Sequence, residues 1–154
     1  IILDLSMDCV KATGEDNNQL DKQRVEAQSL GDKGNYGQAI SLLQDIITNG
    51  KPTVWDYNAL GYYYILSKQY LKAIKYLKEG ELLDDTELLI KGNLAHAYLF
   101  NGDTDLAKAI YTKYKKQNVT DTMSWVQMVQ ADFDAFKKAG LPADDFEGIL
   151  NLLK

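Results

Sequence analysis

Apolar positions in the middle of the chain return with a long period. Leu60-Gly61-x-x-Tyr64 followed by Tyr70-x-x-Ala73 reappears 34 residues later as Leu94-Ala95-x-x-Tyr98 and Thr104-x-x-Ala107. The same shift backward gives Glu26-Ala27-x-x-Leu30 and Tyr36-x-x-Ala39. Three units of 34 residues follow without insertion, at 20–53, 54–87 and 88–121. Within each, the spacing predicts two helices joined by a short turn, at 31–35, 67–69 and 101–103, with Gly34 and Gly102 at corresponding places.

Residue size repeats along with hydrophobicity. Ala27, Gly61 and Ala95 share one position and Ala39, Ala73 and Ala107 another, where two backbones are expected to approach closely. Leu30, Tyr64 and Tyr98, then Leu43, Leu77 and Tyr111, are the large residues expected to fill the space between helices. Gly61 costs about 1 kcal/mol of helix propensity, offset by that close approach.

The ends depart from the period. Trp125, Met128, Val129, Phe133 and Phe136 form an amphipathic stripe that Asp121 or Thr122 is expected to cap and Gly140 to end. A short last helix carries Phe146, Ile149, Leu150 and Leu153. Segment 122–154 thus reads as a pair of helices covering the apolar face of the last unit. At the other end, 1–19 offers two readings. Residues 1–13 are either the second helix of a truncated unit or an unrelated apolar segment docked on the first, with a polar linker at 14–18.

With its 34-residue period, its Leu-Gly and Tyr positions and its recurrent alanines, the chain resembles the tetratricopeptide repeat (TPR) family. The second unit is closest, through Tyr57, Leu60, Gly61, Tyr64, Tyr70 and Ala73. Glu26, Thr104, Gly80 and Tyr114 depart from the pattern, and Pro52 falls one place late. The resemblance implies an all-α fold, a helix-turn-helix repeat solenoid wound as a right-handed superhelix. The tail from Tyr111 through Trp125 to Leu153 is similar to that of bacterial members, which favours a bacterial source.

Composition and charge narrow the function. The 154 residues are 45% hydrophobic and 25% charged, an ordinary globular balance. A net charge of −5 opposes binding to a phosphate backbone, so nucleic acid is not expected as a partner. Lys68, Lys72, Lys75 and Lys78 form a stripe that reads as a solvated helix face. No apolar run approaches the ~20 residues of a spanning helix, so no membrane insertion is expected. With Cys9 alone the fold cannot rest on an internal disulfide, which favours a soluble, cytoplasmic protein over an exported one.

Chemistry is thinly supplied. His96 and Cys9 are the sole members of their types and lie on different units, and no nucleophile, zinc or phosphate-loop motif is present. Asp103-Thr104-Asp105 lacks the rest of a calcium loop. The expectation is therefore no enzyme, no catalytic residue, no metal and no cofactor.

The resemblance also places a groove. In this family the first helices line a concave face, which implies Arg24 and Gln28 from unit one. Unit two would add Trp55, Asn58, Tyr62 and Leu66, and unit three Leu89, His96, Leu99 and Phe100. The groove would be polar at one end and aromatic-aliphatic at the other. A carboxylate clamp of the kind some members use is not expected, because only Arg24 remains of three basic positions. The function implied is a protein-protein interaction module binding a peptide or helical segment. Residues 1–10, the C-terminal helices or a second copy are the competing occupants of the groove. With them comes the alternative of a structural or self-associating module, so a homo-oligomer stays open.

Overall fold

The computed structural model of the chain describes residues 15–154. Among them eight helices follow in order: α1 (Glu15–Asp32), α2 (Tyr36–Asn49), α3 (Val54–Leu66), α4 (Tyr70–Leu83), α5 (Leu88–Asn101), α6 (Thr104–Lys113), α7 (Trp125–Lys138) and α8 (Phe146–Leu152). Consecutive helices from α1 to α6 pack on one another, and α3 also packs on α5. Two layers result, with α1, α3 and α5 in one and α2, α4 and α6 in the other. This is the all-helical repeat solenoid that the period predicts. No strand occurs among the described residues, only a lone antiparallel bridge between Asn118 and Ser124. Both readings of 1–13 lie outside the described residues.

The repeat is written into the backbone. In each hairpin the turn residue with positive φ falls at the same place: Gly34 at 80°, Lys68 at 62° and Gly102 at 87°. Each turn closes with the same long hydrogen bond back to the first helix. Asn35 N–H donates to the Leu30 carbonyl, Gln69 to Tyr64 and Asp103 to Tyr98, at 2.8, 2.8 and 2.9 Å. That is the Schellman closure, which satisfies carbonyls left over at a helix end. Glycine suits it because a left-handed residue carries no Cβ penalty there, and Lys68 holds the same geometry without that relief.

The small positions do what their spacing implies. A Cβ on Gly61 would lie 2.3 Å from Leu77 Cγ and Cδ2, so α3 and α4 meet there with no room for a methyl group. Ala39, Ala73, Ala95 and Ala107 are fully buried, with Leu43, Leu77 and Tyr111 filling the space beside them. Tyr64 is buried against the stacked ring of Tyr76, and its hydroxyl accepts from Gln44 of the preceding unit. The lysine stripe is solvated, with Lys72 and Lys75 lying over the Tyr64 and Tyr76 rings.

Two local readings are corrected. Residues 15–18 are helical rather than a linker, since after Gly14 neither proline nor glycine stops α1 from extending backward from Leu20. The start of α7 is capped by Ser124 instead of Asp121 or Thr122. Ser124 Oγ accepts from the Gln127 N–H at 3.1 Å, and Gln127 Oε1 accepts from the Ser124 N–H at 2.8 Å. This reciprocal box is reached only after a turn in which Val119 N–H bonds the Met123 carbonyl and Trp125 N–H that of Gln117.

Candidate protein-interaction groove

The side of α5 expected to face the groove carries Gly92, His96 and Phe100, and all three are met by α7. A Cβ on Gly92 would lie 2.5 Å from Met128 Cε. His96 Nε2 lies 3.0 Å from Asp132 Oδ2, and the Phe100 ring meets Phe136 edge to face at 5.3 Å. The partners are separated by the same 36 residues each time, so α7 runs along α5 in the same direction. Phe136 also reaches Tyr62 on α3 at 5.8 Å between ring centroids. Behind α7, α8 closes the arrangement by stacking Phe146 on Phe133 at 4.0 Å.

Polar groups in this contact are matched. An ionised Asp132 can only accept, so His96 donates through Nε2–H, and Nδ1 accepts from the Tyr111 hydroxyl at 2.7 Å. Burial pushes the His96 pKa below its ordinary value, with the Asp132 hydrogen bond opposing that shift. Burial likewise raises the Tyr111 pKa. His96 is therefore neutral at pH 7 and its ring is closed off. The Trp125 indole N–H donates to the Tyr111 carbonyl at 3.0 Å, fixing the start of α7 to α6.

The ten residues expected to line the groove fall into two groups. Arg24, Asn58, Leu89, His96 and Leu99 are buried. Arg24 pairs with both oxygens of Asp56 at 2.7 and 2.8 Å and with Asp21 at 2.9 Å, tying α1 to α3. Asn58 accepts from Asn93 Nδ2 at 2.8 Å, tying α3 to α5. Gln28, Trp55, Tyr62, Leu66 and Phe100 keep partial exposure. Of these, Tyr62 and Phe100 are already committed on one side, Tyr62 to Phe136 and Phe100 to Tyr70, Phe136 and Phe146. Beside them Tyr63 stacks on Tyr36, at the junction of the first two units.

Sequence reasoning missed Asp132. Its signal was a carboxylate in helical register with Met128 and Phe136, four residues from each, on a helix otherwise read as an apolar stripe. A charge placed there asks for a buried partner, and His96 supplies it. No group of three or more metal-ligating side chains is found among the described residues. Nor is any described helix long and apolar enough to cross a membrane.

Helical hairpins stacked at a 34-residue period, with one layer of helices forming a surface able to hold a further helix, define a repeat-type scaffold. A family model described as Tetratricopeptide repeat matches residues 90–118, which span most of α5, all of α6 and the turn after it. That match and the helical-hairpin arrangement fit a tetratricopeptide-repeat protein. No curated protein and no solved structure matches it. Repeats of this kind are generally protein-interaction modules and generally non-catalytic.

Proposed function

We propose that this chain is a non-catalytic module that binds an apolar helical or peptide segment of a partner protein on its concave face, at units one and two. The observation carrying this reading is α7 itself. A helix presenting Met128, Asp132 and Phe136 at steps of four is seated along α5, so the surface accepts a helix at side-chain contact distance. One unit earlier, Tyr62 of α3 touches Phe136, and Trp55, Tyr62 and Leu66 of that helix are each partly exposed. These three are the proposed contact residues, with Gln28 and Phe100 at the margins. Arg24, Asn58, Leu89, His96 and Leu99 act from beneath, holding α1, α3 and α5 in register. The non-catalytic reading is supported by His96, whose two ring nitrogens are engaged and buried.

The test is selection from a displayed library of amphipathic helices against the full chain. Selected peptides should bind the parent and lose at least about tenfold in affinity, the scale of one interface hot spot, to Leu66→Asp and to Trp55→Ala. Both variants must keep the parent's helicity and melting temperature. Peptides that bind the two variants as well as the parent would move the contact off this face and end the proposal.

A second reading, a structural module that supports a neighbour or assembles with itself, is favoured by the same helix from the opposite side. Where α7 lies, the concave surface is already spent on an internal contact. No peptide enriched from the library would favour that reading.

A further inference from the structure

A second apolar surface lies on the opposite side of α5. Leu94 and Tyr98 are two residues out of phase with Gly92 and His96, so they point away from α7. Together with Leu106, Ile110 and Tyr114 they line a cleft of about 310 Å³ along α5 and α6, with Glu81 of α4 at its edge. The equivalent surface of unit two is closed by its own side chains, through the Tyr64–Tyr76 stack and the Gln44 hydrogen bond. In unit three Leu106 is instead 53% exposed. At the rim Lys91 is ion-paired with Glu81, Lys113 lies over the Tyr114 ring as the remaining lysine of the lining, and Lys116, three residues further along the chain, is exposed.

Next to this cleft stands its chemical complement. Glu81 forms part of the wall, and the two residues after it, Leu82 and Leu83, are 87% and 55% exposed at the end of α4. Asp84 and Asp85 follow at once. Asp84 is held in place by accepting from the Thr86 N–H and hydroxyl at 2.9 and 2.6 Å. Hydrogen bonding from Thr86, with a contribution from Lys91, keeps its pKa below the usual carboxylate value, so it is charged at neutral pH.

We propose that two copies of this chain associate here through a two-fold axis, each placing Leu82 and Leu83 in the other's cleft. Asp84 and Asp85 then face the partner copy's Lys113 and Lys116. The adjacency of knob and cleft is what a two-fold contact needs, since one patch must be its own complement. An apolar centre with acidic and basic flanks on each side gives the contact its register. With a knob and a cleft as its main elements, it belongs at the weak end of specific interfaces. This surface is separate from the concave face, so the two proposals stand or fall independently.

Sedimentation velocity of the full chain from micromolar to millimolar concentration tests it. The parent should move from monomer to dimer across that range, and less readily at high salt. Leu82→Asp/Leu83→Asp and Leu106→Asp/Lys113→Glu should each raise the dissociation constant at least about tenfold, with helicity and melting unchanged. An equal mixture of the two variants should associate more tightly than either alone, because the mixed dimer regains one intact knob in one intact cleft. A parent that stays monomeric throughout would overturn the proposal. So would a dimer indifferent to both variants, or variants that weaken association with no recovery on mixing.

Discussion

Units two and three share a scaffold and carry corresponding rows of helical positions on α3 and α5, yet those positions meet different neighbours. In unit three the row is Gly92, His96, Phe100; in unit two it is Asn58, Tyr62, Leu66. Gly92 lets Met128 approach to side-chain contact, His96 gives Asp132 a buried partner, and Phe100 supplies an aromatic edge for Phe136. Asn58 is instead spent on Asn93 of the next helix, and the Tyr62 ring is shared between Phe136 and the open side. A repeat scaffold fixes where such a row points. The residues in it decide whether the chain's own tail or another molecule covers it.

Removing the tail's anchor should disturb the covered row most visibly. Phe136→Ala deletes a fully buried ring that touches Tyr62, His96 and Phe100, and should cost about 3–5 kcal/mol in chemical denaturation. Leu66→Ala, on the open row, should cost about 1 kcal/mol or less, since little of its burial is lost. Equal losses would mean that both rows are covered to the same extent.

The pH dependence of stability separates the two rows again. His96 is the only histidine, and burial holds its pKa below the ordinary value, with Asp132 and Tyr111 as the titratable groups facing it. The unfolded chain then binds a proton at higher pH than the folded one. The stability His96 contributes is full above its unfolded pKa of about 6.5 and is lost as pH falls below that value. Melting temperature should therefore drop from pH 7.5 to 5.5 in the parent and drop less in His96→Gln. Parallel pH profiles would show that the ring is not held neutral beneath α7.

Smaller effects come from the turn and the junction that belong to unit two. Lys68 adopts the left-handed turn that Gly34 and Gly102 adopt in the flanking units. Lys68→Gly should stabilise the fold by about 1 kcal/mol, the relief of a Cβ in that conformation, read from the denaturation midpoint. The Tyr63 hydroxyl is buried and finds no hydrogen-bond partner in the described structure. Tyr63→Phe should thus change stability by no more than about 1 kcal/mol, with the sign toward stabilisation.

Much of this architecture was legible in the sequence because its causes are local and repeated. Gly61 and the four buried alanines mark the close approaches, and Gly34 and Gly102 mark two of the three turns. The third turn shows why legibility has limits: Lys68 has no composition signal for a positive φ, and only the period places it there. The groove was less legible. Position along α3 and α5 says which way a side chain points, but not what arrives from 36 residues downstream to meet it. The contact between His96 and Asp132 joins a repeat to a segment outside the period, and no spacing within either element encodes it. Arg24 shows the same limit, since Asp21 and Glu26 are its neighbouring carboxylates in sequence while its bidentate partner is Asp56.

The two tryptophans report on the two rows separately, Trp55 partly exposed on the open one and Trp125 fully buried with its indole bonded to Tyr111. Both indole N–H signals can be followed by NMR while a library-selected helical peptide is titrated in. The Trp55 signal should shift saturably while Trp125 stays in place and protected from exchange. A Trp125 signal that moves or loses protection, with Trp55 unchanged, would mean that the partner displaces α7 from unit three, against the division of rows drawn above.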